Sequence, residues 1–297
     1  MQEENRRRRP RPADAALVPA ETSSSGRAGT AHPRSAGARL AAMRGAAPSL
    51  HQITPPETLP FQATALCAAG GHPVPCTNRE EVIEIVAATA GLTLAIGALT
   101  PALLDTMLWA AETARGAAHP WVLDAAGIGL TDYRRQPSAA LLARRPTAVT
   151  GDATDILCIA GIGGAAVDRA LSPEDAVDAG AHLAQRVGAI IVIAGAADGA
   201  DMVLTDGNRA AVVHGGDPMV AHLHGHAAAR SALLAAMLAT SAGAFEAAAA
   251  ALALDAAAAF EAGRRASGPG SFAAGYLDSL ATLTPDALDE VTRITPL

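Results

Sequence analysis

From about residue 50 onward, short apolar runs alternate with longer stretches in which apolar residues recur every three or four positions. The short runs predict strands over 92–96, 121–123, 148–150, 189–194, 202–205 and 210–213. The longer stretches predict helices over 59–69, 79–88, 101–115, 138–143, 153–160, 173–187, 227–239 and 244–262. Ser172-Pro173-Glu174-Asp175 carries a start signal: a cap, a proline in the first turn, then acids where the helix dipole is positive. Asp206-Gly207 reads as a hairpin turn, and beyond it the chain is almost wholly helical. This alternation specifies an α/β domain: a mostly parallel central sheet flanked by helices, with a helical C-terminal half.

Composition changes the picture in two ways. Of 297 residues, 75 are Ala and only 3% are aromatic, so the core must be packed from Ala, Leu, Val and Ile. Stacking platforms for single-stranded nucleic acid are not expected from such a chain. The most apolar stretch, 231–260, carries Glu246 and Asp255 and reads as two packed helices, not a membrane span. Cys67, Cys76 and Cys158 are too few and too scattered for a disulfide framework or a cysteine zinc site, and a reducing cytoplasm is the expected setting.

Charge is unevenly spread. Residues 1–49 hold nine Arg against four acids, and the remainder holds thirteen Arg against twenty-five acids, for a net charge of −7. An acidic domain over 50–297 argues against a nucleic-acid or anionic-membrane surface. The segment 1–49 is expected to be a disordered Arg/Ala/Pro/Ser-rich tail or an over-extended start, with Met43 a candidate initiator. Its Arg content also fits a targeting segment, although no amphipathic helix accompanies it. All 22 basic residues are Arg, which excludes a phosphate-loop lysine and Schiff-base chemistry.

In open α/β sheets ligands sit beyond the carboxyl ends of strands, and three such places stand out. Trp121-Val122-Leu123-Asp124 ends a strand in a carboxylate before a small-residue turn, where an acid either holds magnesium or caps the turn. Thr150-Gly151-Asp152-Ala153-Thr154-Asp155 places two carboxylates at a helix start, a capping pair or a magnesium-phosphate site. His222-Leu223-His224-Gly225-His226 enters a long Ala-rich helix whose free N–H groups suit phosphate or a developing negative charge. Its alternate histidines, with His214 and Asp217 upstream, also admit a transition-metal site.

With these places in this order, the chain from about Leu50 onward resembles the hydroxyethylthiazole kinase family, which has a ribokinase-like fold. Ser267-Gly268-Pro269-Gly270-Ser271-Phe272 with Leu277-Asp278 is similar to the family's GPGSF segment and the helix after it. His51-Gln52-Ile53-Thr54 matches its HxIT, Ile96-Gly97-Ala98-Leu99-Thr100 its NIGTL, Asp124 to Gly127 its DPVG, and Thr150 to Asp155 its RGNxxE. The resemblance implies ATP- and Mg2+-dependent phosphorylation of the hydroxyl of 4-methyl-5-(2-hydroxyethyl)thiazole in thiamine salvage, by a homotrimer. It puts metal ligation on Asp124 and Asp155, substrate binding on Gly225, and nucleotide contacts at Thr150 and Ala194.

The departures fall on the site. The family's TGTGC reads His224-Gly225-His226-Ala227-Ala228, so its proposed cysteine base is Ala228. The nucleotide-binding arginine of RGN is Thr150, its asparagine is Asp152, and the longer glutamate is Asp155. The strand-end threonine is Ala194, the early asparagine is Pro55, and a substrate-contacting methionine is Pro75. His226 or His224 is the candidate replacement base. Two readings follow: a divergent kinase of this or another small alcohol, and a non-catalytic homologue that keeps the fold to bind a small ligand or partner.

Overall fold

The computed structural model describes residues 34–97, 99–162, 173–196 and 201–297. Strands β1 (Ser49–Ile53), β2 (His72–Pro75), β3 (Gly91–Ala95), β4 (Trp121–Asp124), β5 (Ala148–Asp152), β6 (Ile190–Ala196), β7 (Asp201–Thr205), β8 (Ala210–His214) and β9 (Arg293–Pro296) form one sheet. Their order is β2-β1-β3-β4-β5-β6-β7-β8-β9. The pairs from β2 to β6 are parallel, and β7, β8 and β9 add antiparallel.

Twelve α-helices occur among the described residues: α1 (Arg34–Ala46), α2 (Leu59–Ala69), α3 (Val82–Ala88), α4 (Pro101–Gly116), α5 (Asp132–Arg135), α6 (Ser138–Leu142), α7 (Ala153–Ala160), α8 (Pro173–Val187), α9 (His226–Thr240), α10 (Ala244–Arg265), α11 (Pro269–Thr282) and α12 (Pro285–Val291). Side chains alternate across each strand, and both faces of the sheet are covered. Val122, Ala148, Val192 and Leu204 pack with α1, α2, α9, α10, α11 and α12, while Leu123, Val149, Ile191 and Val203 pack with α3, α4, α6, α7 and α8. The first layer is built largely of alanine. Its small side chains let α10 lie close to its neighbours, and fifteen residues of that helix are buried.

The fold begins earlier than residue 50. Helix α1 buries Ala36, Leu40 and Met43, one face at spacings of four and three, against α9, α10 and α12. Arg44 ties it down by donating to the carbonyls of Ala69, Leu280 and Leu283 at 3.3, 2.7 and 2.7 Å. A chain begun at Met43 would lack most of this helix, so the expected tail boundary at residue 49 is displaced. The arginines flanking these apolar positions mask the stripe in composition. Strands β1, β2 and β9 and helix α12 are likewise additions to the pattern read from the sequence. Each is short, and β2 and β9 are edge or near-surface strands with little apolar alternation. Residues 1–33, Ala98, Ser172 and the side chains of Glu174 and Asp175 lie outside the described residues.

Candidate functional site

Strands β4 and β5 end side by side, with Asp124 opposite Thr150 in register. The buried Asp124 carboxylate accepts from Ala126 N at 3.1 Å through Oδ1, and no donor among the described residues meets its Oδ2. Burial pushes its pKa up, opposed by that N–H and by the charge of Arg230. The next strand end is closed by a capping box. Asp152 Oδ1 accepts from Asp155 N at 2.8 Å, and Asp155 Oδ2 accepts from Asp152 N at 3.2 Å. Asp155 Oδ1 also accepts from Gly127 N at 3.0 Å, so one carboxylate links the loops after β4 and β5. Burial and the neighbouring Asp152 raise its pKa to about 7, with Asp124 adding a smaller like-charge push. Gly151 makes this fold-back fit: a Cβ there would stand 2.7 Å from the Asp155 Cβ. The structure shows the capping reading of this pair; of the two carboxylates, Asp152 and not Asp155 is among the residues lining the cleft described next.

Beside these strand ends opens a cleft of about 410 Å³ whose lining includes Asp152, Ala194, His224, Gly225, His226, Ala227, Arg230 and Asp255. Gly225 starts helix α9 with φ +89°, and a Cβ would come within 3.1 Å of the Phe61 Cβ and 3.3 Å of the Thr58 carbonyl oxygen. The turn thus needs glycine for both conformation and space. It delivers the N-terminus of a fifteen-residue helix to the cleft, where its N–H groups and dipole favour an anion.

His226, the first residue of that helix, is buried and anchored. Its Nε2 lies 2.8 Å from Asp255 Oδ1, and the Tyr276 hydroxyl donates to the same oxygen at 2.6 Å. The Tyr276 ring packs edge-on against the imidazole, 5.3 Å between centroids. Asp255 is fully buried in α10, yet its pKa is held down: desolvation, which alone would raise it, is outweighed by His226, Arg230 and Tyr276. The ionised carboxylate can only accept, so the Nε2–H of His226 is the donor in this contact, and Nδ1 has no hydrogen-bond partner among the described residues.

The remaining expectations sort themselves by position. His224 is exposed on the cleft wall, His222 is exposed and not part of the lining, and His214 bonds Asp201 and Thr295 at 2.7 and 2.9 Å. These histidines do not converge. Among the described residues no three His, Cys, Asp or Glu side chains gather as a metal group, so the transition-metal reading is withdrawn. Ala194 lines the cleft, Ala228 is buried in the first turn of α9, and Thr150 is buried with its hydroxyl unpartnered. Sequence reasoning did not assign roles to Arg230, Asp255 or Tyr276. The available signal was a lone Arg and a lone Asp inside otherwise apolar helices. A larger hollow of about 570 Å³, lined by Arg135, Arg145, Cys158 and Arg186, contains none of the strand-end acids, so volume alone does not mark the site.

A mostly parallel sheet covered on both faces, with acids at adjacent strand ends and a helix N-terminus beside the cleft, makes this an α/β protein, and the solved structure that superposes at TM-score 0.81 places it in the ribokinase-like class. The Hydroxyethylthiazole kinase family model matches residues 40–286. The hydroxyethylthiazole kinase of Escherichia coli O17:K52:H18 is 36% identical over 241 residues, 80% of this chain and 90% of that protein. The enzyme of the same name from Shigella boydii serotype 18 is 35% identical over the same length. Among solved structures, the hydroxyethylthiazole kinase protein of Pyrococcus horikoshii OT3 superposes with TM-score 0.81 at 25% identity, over 88% of this chain and 98% of that one. A Bacillus subtilis pyridoxal kinase, at TM-score 0.56 and 18% identity over 72% of this chain and 91% of that one, shares the fold. The chain belongs to the hydroxyethylthiazole kinase family.

Proposed function

We propose that this protein transfers the γ-phosphoryl group of ATP to the hydroxyl of 4-methyl-5-(2-hydroxyethyl)thiazole, with His226 as general base in place of the family cysteine. The observation that carries this reading is the Asp255 contact to Nε2 of His226, which leaves Nδ1 as the ring nitrogen without a partner among the described residues, on a residue lining the cleft. Asp255 and Tyr276 position the ring. The base takes the hydroxyl proton as the oxygen attacks phosphorus, and ADP leaves. The helix α9 N-terminus meets charge developing on the phosphoryl oxygens. Exposed His224 stands on the cleft wall but has no anchoring partner among the described residues, so it is the weaker candidate.

Mg2+ suits the donor set. Asp124 offers an oxygen without a donor, and Asp155 stands near enough for its ionisation to be opposed by Asp124. Two carboxylates completed by phosphate oxygens and water are a usual magnesium environment. Bound there, the ion would neutralise polyphosphate charge. By the resemblance, the cleft-lining Ala194 and the buried Thr150 fall on the nucleotide side and Gly225 on the substrate side. The reading includes a homotrimer and a cytoplasmic setting, and no described helix is long and apolar enough to cross a membrane.

The test is mass-spectrometric detection of the phosphorylated thiazole after incubation with the alcohol, ATP and magnesium. The unaltered chain is expected to form product. His226→Ala should lower kcat about 10²- to 10⁴-fold, the usual worth of a general base, and His224→Ala only a few-fold. Undiminished turnover in His226→Ala would overturn the assignment of the base. No product from the unaltered chain or from Ala228→Cys would overturn the kinase reading for this alcohol.

A further inference from the structure

We infer that Arg230 binds the phosphate chain of the nucleotide, supplying in this protein the cation that relatives are expected to carry at the position of Thr150. The inference rests on the kinase reading above but concerns a residue that reading does not use. Arg230 lies one turn into α9, lines the cleft and is only 7% exposed. It is the one arginine among the residues lining that cleft, in a chain without lysine.

None of its donors makes a hydrogen bond to a described residue, although its charge lies beside Asp255. Nε is buried with no partner among the described residues, and the nearest carboxylate contact, NH1 to Asp255 Oδ2, is 3.8 Å, too long for a hydrogen bond. Arg44 shows the contrast, since three of its nitrogens bond main-chain carbonyls. The hydrogen bonds that hold Asp255 come from His226 and Tyr276 at Oδ1, and Arg230 faces Oδ2 only as a longer-range ion pair. A guanidinium held dry with open donors is a site for an anion of matching geometry, and phosphate accepts such a fork in two parallel bonds.

Charge points the same way. The cleft lining holds Asp152, Asp217 and Asp255, and Asp124 senses Arg230 from the end of β4. A polyphosphate entering among these acids needs a fixed cation beside any magnesium. The unpartnered Thr150 hydroxyl, at the strand end where the resemblance places an arginine, adds a neutral donor and no charge. Arg230 provides the charge from a helix rather than from the strand.

Calorimetric titration of the full-length chain with inorganic tripolyphosphate, without magnesium, and separately with Mg-ATP, tests this. Arg230→Gln and Arg230→Met are expected to weaken tripolyphosphate about 10- to 100-fold, the loss of a charge-assisted pair. Adding Thr150→Arg to Arg230→Gln should recover much of the loss. Making both variants lets one report if the other fails to fold, as judged by its thermal transition. Equal affinity in a folded Arg230 variant, or no tripolyphosphate binding by the unaltered chain at millimolar concentration, would overturn the inference. Product formation with unchanged KM for ATP in Arg230→Gln would overturn it while leaving the kinase reading intact. Arg230-dependent tripolyphosphate binding without thiazole phosphorylation would uphold it and remove that reading.

Discussion

The imidazole of His226 and the carboxylate of Asp255, 29 residues apart in the chain, meet at 2.8 Å inside the alanine-rich layer. A buried charge survives there only because donors converge on it: His226, Tyr276 and, at longer range, Arg230. Removing the acceptor should cost more than removing one donor. Asp255→Ala is expected to lose about 3–5 kcal/mol, because it strands buried donors and a buried guanidinium. Tyr276→Phe, which keeps the ring, should lose about 1.5–3 kcal/mol. Urea denaturation of the two variants beside the unaltered chain measures both, and a larger loss in Tyr276→Phe would contradict the ranking.

Asp155 gives stability a pH dependence opposite to that of Asp255. Its folded pKa of about 7 lies above the ordinary carboxylate value, so the folded state holds a proton that the unfolded chain releases near pH 4. The favourable contribution is present below about pH 4 and is lost as pH rises toward 7. For Asp255 the folded pKa is depressed, so its contribution is present above the unfolded pKa and is lost on acidification. Asp155→Asn should flatten the decline in unfolding free energy between pH 4 and 7, as read from urea curves across that range.

The same titration links to magnesium. A divalent ion needs the ionised carboxylates, so binding at Asp124 and Asp155 should release a proton below about pH 7. Magnesium chloride is expected to raise Tm more at pH 8 than at pH 6, and Asp124→Asn or Asp155→Asn should abolish the difference. A magnesium effect of equal size at both pH values would place the ion elsewhere.

Helix α1 is expected to be part of the folding unit. Leu40 and Met43 are fully buried in the same layer as α9 and α10. Leu40→Ala should cost about 2–5 kcal/mol, and a chain begun at Met43 should be less stable still. Thermal and urea melts decide the point. Equal stability of the Met43 start would show that α1 contributes nothing.

At Gly225, φ is +89° and a Cβ would meet Phe61 and Thr58. Gly225→Ala should cost about 1–2 kcal/mol from the left-handed backbone alone, with crowding added. Because α9 starts here, the shift also misplaces His226. The expected kinetic signature is a fall in kcat exceeding that caused by His224→Ala.

Much of this architecture was legible along the chain. The apolar runs marked β3 to β8 to within a residue or two, and α2, α7 and α8 begin and end where the pattern places them. Local chemistry explains that success: a proline in a first turn, an Asp at a helix start and a glycine after it act over three or four residues. Helix α1 escaped notice because its arginines concealed three apolar positions. Asp124, Asp152, Asp155, Gly225 and His226 were visible as strand-end and helix-start residues, but which of them share a cleft was not.

The sequence by itself determined the α/β layering and the parallel run of strands, which follow from periodicity, a local property of the chain. The order of its motifs carried the resemblance to the family, and the departures at Ala228, Thr150 and Ala194 are what that resemblance implies. Only the tertiary structure decided that Asp155 joins two loops, that Arg230 stands dry in the cleft, and that His226 is fixed by Asp255 and Tyr276. Helices α9, α10 and α11 bring those groups together, and hydrogen bonding and burial depend on distance in space, which residue spacing does not encode.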